Sequence, residues 1–230
     1  MFRDYIYLDT KRIYRYGRKL MIDDSCKEDK DFVDKEMYFE KFEYKLESER
    51  KNKGFLEIRS DSEDDINKID REMIIRFRGK LLIPDEFGKV EFLKGILSND
   101  NMKNQLSDDL SRNDDEIGAE FLKAMIKDRK NFPVYCNIDE YKIYANLNGE
   151  FFIGEYSDFE ENVGETVTIV ARIDSISKTE KDIVLYNIYK DLFGMNRQMR
   201  RAFNDNNENI PEEIKIKGKG IKMNVLAIYR

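Results

Sequence analysis

The chain has 230 residues, with 41 Lys and Arg against 47 Asp and Glu for a net charge of −6, and no histidine. The missing imidazole excludes Ser–His and Cys–His nucleophile chemistry and His-ligated metal centres. The acidic balance gives no global case for polyanion binding, which needs clustered Lys and Arg. A hydrophobic fraction of 40%, with 15 Phe and 13 Tyr, predicts a folded chain rather than a disordered one.

In chain order, Asp4 to Leu8 reads as a short strand, and Asp9-Thr10 supplies an N-cap pair for a basic helix over Lys11 to Met21. Gly17 predicts that this helix bends or ends early. From Lys30 to Lys51, Phe32, Val33, Tyr38, Phe39, Phe42 and Leu46 follow helical spacing, with Gly54 as the expected stop and Phe55 to Ile58 as a strand. The acidic Ser60 to Asp65 stretch reads as a surface loop or cap.

Met73 to Ile83 alternates, with Met73, Ile75, Phe77, Leu81 and Ile83 on one face and a basic outer row of Arg76, Arg78 and Lys80 on the other. Leu82 breaks the alternation, so that strand end is expected to be covered on both sides. Phe87 to Leu97 and Ile117 to Ile126 read as amphipathic helices, on either side of a polar 99–116 stretch. Val134 to Ile138 reads as a strand, and Tyr141 to Leu147 and Glu150 to Ile153 as a hairpin about Asn148-Gly149. Thr166 to Ile176 alternates as a strand. Ile183 to Phe193 and Met195 to Phe203 read as helices, and Ile214 to Ile228 as a last strand. The fold class expected is α+β: a mixed, largely antiparallel sheet with packed amphipathic helices, open to division into two small lobes, 1–98 and 117–230, joined by a 99–116 linker.

Three segments, Tyr5-Ile6-Tyr7-Leu8-Asp9-Thr10, Arg78-Gly79-Lys80-Leu81-Leu82-Ile83-Pro84-Asp85 and Val225-Leu226-Ala227-Ile228-Tyr229-Arg230, stand in this order along the chain. With them the chain resembles an uncharacterised family of bacterial proteins, a domain of unknown function of about this length. It departs from the family after Ile13, where Tyr14-Arg15-Tyr16-Gly17 replaces a Ser- and Gln-containing helix, and near Gly220, where Gly-Pro is expected. The resemblance implies a whole-length, non-secreted α/β protein and transfers no site residue.

Cys26 and Cys136 are far apart and lack metal-ligand spacing, so neither a disulfide framework nor a zinc site is expected. The sequence has neither a basic-then-apolar leader nor an apolar run of about 18 residues, so the cytoplasm is the expected compartment and no membrane partner is expected. Walker and dinucleotide glycine motifs are absent as well.

The enzymatic alternative is a Mg²⁺-dependent nuclease, with Glu140 and Lys142 on one strand face and Asp128 or Asp139 nearby to share the metal. Such triplets also arise by chance in a chain that is 38% charged, as Glu43-Tyr44-Lys45 illustrates. Outside that alternative no cofactor is expected.

The basic clusters carry the leading expectation. Lys11, Arg12, Arg15, Arg18 and Lys19 line the first helix, interleaved with Tyr14 and Tyr16. Arg76, Arg78 and Lys80 line a strand, Arg197, Arg200 and Arg201 a late helix, and Lys215, Lys217, Lys219 and Lys222 the last strand. Taken singly, each set suits a solvated face or an edge-strand guard. Convergence of Arg15, Arg76, Arg78 and Arg200 into one cleft would make a surface for a phosphate-containing ligand, a nucleic acid or an acidic protein. The expected protein is thus a non-catalytic regulatory or accessory binding protein, with an interaction module built on its apolar helices as a further alternative.

Overall fold

A computed structural model describes residues 3–20, 22, 32–48, 54–58, 63–87, 131–187 and 213–230. The described elements are β1 (Tyr5–Leu8), α1 (Thr10–Lys19), α2 (Phe32–Ser48), β2 (Phe55–Ile58), α3 (Glu63–Asn67), β3 (Ile74–Lys80), β4 (Asn131–Ile138), β5 (Tyr141–Asn148), a 3-10 turn (Gly149–Phe151), α4 (Tyr156–Glu160), β6 (Thr166–Asn187) and β7 (Glu213–Tyr229).

The strands form one mixed seven-stranded sheet in the order β2-β3-β6-β7-β5-β4, with β1 pairing antiparallel to the C-terminal end of β7. The fold is α+β. The β2–β3 and β5–β7 pairs are parallel and the remaining pairs antiparallel. β1 to β3 come from one side of the expected 99–116 linker and β4 to β7 from the other, yet they share this sheet.

The sheet curls. Just past β3, Leu82 exchanges both backbone hydrogen bonds with Tyr135 of β4, at 2.9 Å each, so the two flanks of the sheet meet at one isolated bridge. Inside this curl lies the larger core, built from alternate residues such as Ile75 and Phe77 of β3, Val167, Ile169, Ala171 and Ile173 of β6, and Val134 and Cys136 of β4. On the opposite face, Ile74, Val170, Ala227 and Tyr229 pack against Ile13 and Tyr14 of α1 and Tyr38, Phe39, Phe42 and Leu46 of α2. Apolar burial on both faces explains why Ile74 and Ile75, or Ile169 and Val170, are adjacent and both buried.

Three expectations are corrected. Gly17 does not end α1, which continues to Lys19; it packs against Tyr38 of α2, whose hydroxyl would collide with a Cβ there. Gly54 stands immediately before β2; α2 is described as far as Ser48, and residues 49–53, on which its expected closure at Gly54 depends, lie outside the described residues. Asn148-Gly149 is not a hairpin turn: the Asn148 side chain caps the 3-10 turn by accepting from the Glu150 amide, and Phe152 then bridges Tyr7 of β1. The hairpin forms instead between β4 and β5, at Asp139-Glu140, where Asp139 takes a left-handed φ of 49°. Finally, Ile183 to Asn187 is strand: β6 runs on to pair Ile183 with Ile216 and Asn187 with Glu213. The helices expected over 87–97, 117–126 and 195–203, and the 99–116 linker, lie outside the described residues apart from Phe87.

Candidate functional site

α1 begins at an anchored cap. Asp9 is buried, its carboxylate accepts from the Arg12 amide at 2.9 Å and pairs with the Arg12 guanidinium at 3.2 Å, and its own amide donates to the Leu226 carbonyl of β7 at 2.8 Å. Burial raises the Asp9 carboxyl above the ordinary range, against the lowering effect of the Arg12 amide and charge. The helix is pinned to the sheet at its start and to α2 by the Gly17–Tyr38 approach. Ile13, Tyr14 and Gly17 face inward, which leaves Lys11, Arg15, Arg18 and Lys19 exposed. At helical spacing Lys11, Arg15 and Arg18 form one stripe. The helix sequence contains no acidic residue. Lys11 reaches the exposed Glu150 at 3.5 Å, a surface pair of little strength.

The β3 row is arranged differently. Arg76 is mostly buried and is held by Glu47 at 2.7 Å, Glu57 at 3.0 Å and Glu43 at 3.6 Å. Burial opposes its charge, but the hydrogen bond to Glu47 and the charges of Glu57 and Glu43 outweigh that and raise its pKa. The expected basic outer row is therefore neutralised at Arg76 and open at Arg78 and Lys80, which are exposed. Arg78 and Arg76 border a groove of about 480 Å³ floored by Thr168 and Tyr229. Thr168 lies directly opposite Arg78 in the sheet.

Glu43 is the residue that the sequence did not single out. It occupies the i+4 position of the apolar stripe of α2, after Phe39 and Phe42, and is buried. It accepts from the Tyr229 hydroxyl at 3.0 Å and pairs with Arg3 as well as Arg76. Arg3 also lies 4.7 Å from the centre of the Tyr229 ring. A carboxylate in an apolar slot was the available signal, because burying it demands partners.

The basic sets do not share one cleft among the described residues. No α1 residue borders the Arg76–Arg78 groove. At the other end of α1, a separate pocket of about 270 Å³ contains Tyr16 and Lys19 of α1 with Phe55 of β2, Glu72, and Arg172 of β6. Arg197, Arg200 and Arg201 lie outside the described residues. On β7, Lys215, Lys217 and Lys222 are exposed; Lys215 pairs with Glu213 at 2.8 Å and Lys222 with Asp174 at 3.3 Å.

The nuclease residues sit at the β4–β5 turn. Glu140 pairs with Lys219 of β7, and Lys142 donates to the Asn137 side chain at 2.7 Å. Asp139 is exposed in the same turn, and Asp128 lies outside the described residues. Among the described residues, no three carboxylate or thiol side chains are grouped to hold a metal ion. Cys136 is buried, and burial pushes its thiol up to about 12, which removes it as a nucleophile at neutral pH. No helix among the described residues is long and apolar enough to cross a membrane.

Neither a curated protein nor a solved structure matches the chain. The match to a family, by contrast, runs from residue 33 to residue 229, covering α2 and every later element of the sheet. The chain therefore belongs to the domain-of-unknown-function family DUF6414.

Proposed function

We propose that the protein is a non-catalytic accessory or regulatory factor of the cytoplasm that binds the phosphate groups of a nucleic acid through the outer face of α1. The observation that carries this reading is the stripe of Lys11, Arg15 and Arg18, continued by Lys19, on a helix without one acidic side chain in a chain of net charge −6. Arg18 and Lys19 in the last turn also favour the helix dipole, but Lys11 and Arg15 gain nothing from it. A solvated helix in a protein this acidic is expected to mix signs, and α1 itself carries cations alone, with Glu150 the acid that reaches Lys11. A rigid helix, capped at Asp9 and seated on α2 through Gly17, also holds the cations in fixed register, which reduces the ordering cost of binding. The β3 set contributes less, because Arg76 is already satisfied by three carboxylates.

The test is fluorescence anisotropy of a labelled single-stranded and a labelled duplex oligonucleotide at low salt in EDTA, with Arg15→Gln/Arg18→Gln compared with Arg78→Gln/Lys80→Gln. The reading expects binding without cleavage, lost in the α1 variant and kept in the β3 variant. Equal binding by both variants, or none by the wild type, refutes it.

A further inference from the structure

We infer that the pocket at the C-terminal end of α1 is a binding site for a small organic anion that carries a flat or apolar body and an N–H donor, the chemistry of a nucleoside 5′-monophosphate. The pocket shares only Lys19 with the outer face of α1, since none of Lys11, Arg15 and Arg18 lines it.

The pocket combines three features that small-ligand sites share. Its floor is apolar, formed by Leu46 of α2, Phe55 of β2 and Ile74 of β3, each of which belongs to the core beneath the helices. Its volume of about 270 Å³ seats the base of a nucleotide, which leaves the sugar and phosphate at the rim. Its rim carries a positioned cation: Arg172 of β6 stands 5.3 Å from the centre of the Tyr16 ring and is fixed by an ion pair with Glu72 at 2.9 Å. A guanidinium held by an aromatic face and one carboxylate oxygen keeps further N–H groups to direct at an anion.

Glu72 is the more telling residue. It takes a φ of 74°, the left-handed region where glycine is the ordinary choice and another residue carries strain. Backbone bonds on both sides impose that conformation: the Glu72 amide donates to the Ile173 carbonyl at 3.0 Å, and the Ile173 amide to the Met73 carbonyl at 2.8 Å. Glycine would satisfy the same backbone without strain. The side chain is largely exposed, so core packing does not require glutamate here. What its carboxylate does at this position is orient Arg172 and offer its second oxygen at the rim of the pocket. A ligand placed with its ring on Phe55 and Ile74 would meet the guanidinium with its anion and the carboxylate with an N–H.

The ligand could be a free nucleotide or the terminal unit of a strand, and the experiment separates them. Isothermal titration calorimetry is run with each of the four ribonucleoside 5′-monophosphates, and anisotropy with an eight-nucleotide strand, on the wild type, Glu72→Gly and Arg172→Gln. Glu72→Gly relieves the backbone strain, so its thermal midpoint should equal or exceed that of the wild type, and a loss of binding cannot be ascribed to unfolding. Binding of at least one monophosphate, weakened about tenfold or more by both variants, establishes the free nucleotide as ligand. Strand binding alone, weakened similarly by both variants, assigns the pocket to a strand end. Absence of monophosphate binding together with strand binding or non-binding that is indifferent to Glu72→Gly overturns the inference, as does monophosphate binding that Glu72→Gly leaves intact.

Discussion

The Tyr229 hydroxyl donates to the Glu43 carboxylate at 3.0 Å, joining the last strand of the sheet to the middle of α2 within a buried contact. Burial, and then the adjacent Glu43 charge, push the Tyr229 phenol well above its ordinary range, so it stays protonated and acts as the donor. Arg3 and Arg76 supply the compensating charge. Removing the carboxylate leaves these donors buried without it, so Glu43→Ala should cost about 3 kcal/mol. Tyr229→Phe, which removes one hydrogen bond, should cost about 1 kcal/mol. Urea denaturation of both variants checks the ranking; equal losses would mean that Glu43 is not the centre of the network.

Gly17→Ala is a case in which helix propensity and packing disagree. Propensity alone favours alanine by about 1 kcal/mol. The new methyl group would, however, collide with the Tyr38 hydroxyl, and the ring carbon bearing it lies only 3.0 Å away. The substitution should therefore lower the thermal midpoint, and Tyr38→Phe in the same chain should restore part of the loss. A rise in midpoint on Gly17→Ala alone would show that α1 is not seated on α2 in this way.

Alkaline pH should destabilise the fold. The Cys136 thiol is held up to about 12 by burial, whereas in an unfolded chain it ionises near pH ~8.5. Above that value the unfolded state binds fewer protons than the folded state, so stability falls as pH rises from about 9 towards 12. Tyr7 and Tyr229, both raised chiefly by burial, act in the same direction at higher pH. Cys136→Ala should be less stable at pH 7, from the lost packing, but should lose less stability between pH 9 and 11. Urea midpoints across that range decide it.

For nucleic-acid binding by α1, Lys11→Gln and Arg15→Gln should each reduce the slope of log affinity against log salt by roughly 1. Lys80→Gln on β3 should leave the slope unchanged. A slope insensitive to Arg15 would move the contact elsewhere.

Glu140→Ala removes an exposed pair with Lys219 at the β4–β5 turn. Its thermal midpoint should match that of the wild type, and incubation of either protein with Mg²⁺ and plasmid or single-stranded DNA should yield no cleavage. Mg²⁺-dependent cleavage that disappears in Glu140→Ala would replace the binding proposal by the nuclease alternative.

Strong local periodicity carried most of the elements. The apolar spacing of α2, the alternation of Thr166 to Ile176 and the Asp9 cap are properties of neighbouring residues, so β6, α2 and the start of α1 were legible in the chain itself. Turn chemistry misled at Asn148-Gly149, because β5 is already flanked by β4 and β7 and Asn148 instead caps a 3-10 turn. Ile183 to Asn187 misled because its helix-like apolar spacing yields to the pairing with β7 that extends β6.

By itself, the sequence determined the α+β class, the absence of imidazole chemistry and the basic character of α1, all of which depend on composition or on contacts a few residues apart. Tertiary structure decided which charges remain exposed. Arg76 and Arg78 look alike on one strand face, but α2 brings Glu43 and Glu47 over the first and leaves the second exposed. It also decided that Lys19 of α1 and the Arg76–Arg78 pair of β3 border separate hollows, and it brought Glu72 to Arg172 beside Tyr16. Such relationships depend on desolvation and on contacts across the sheet, which no spacing along the chain encodes.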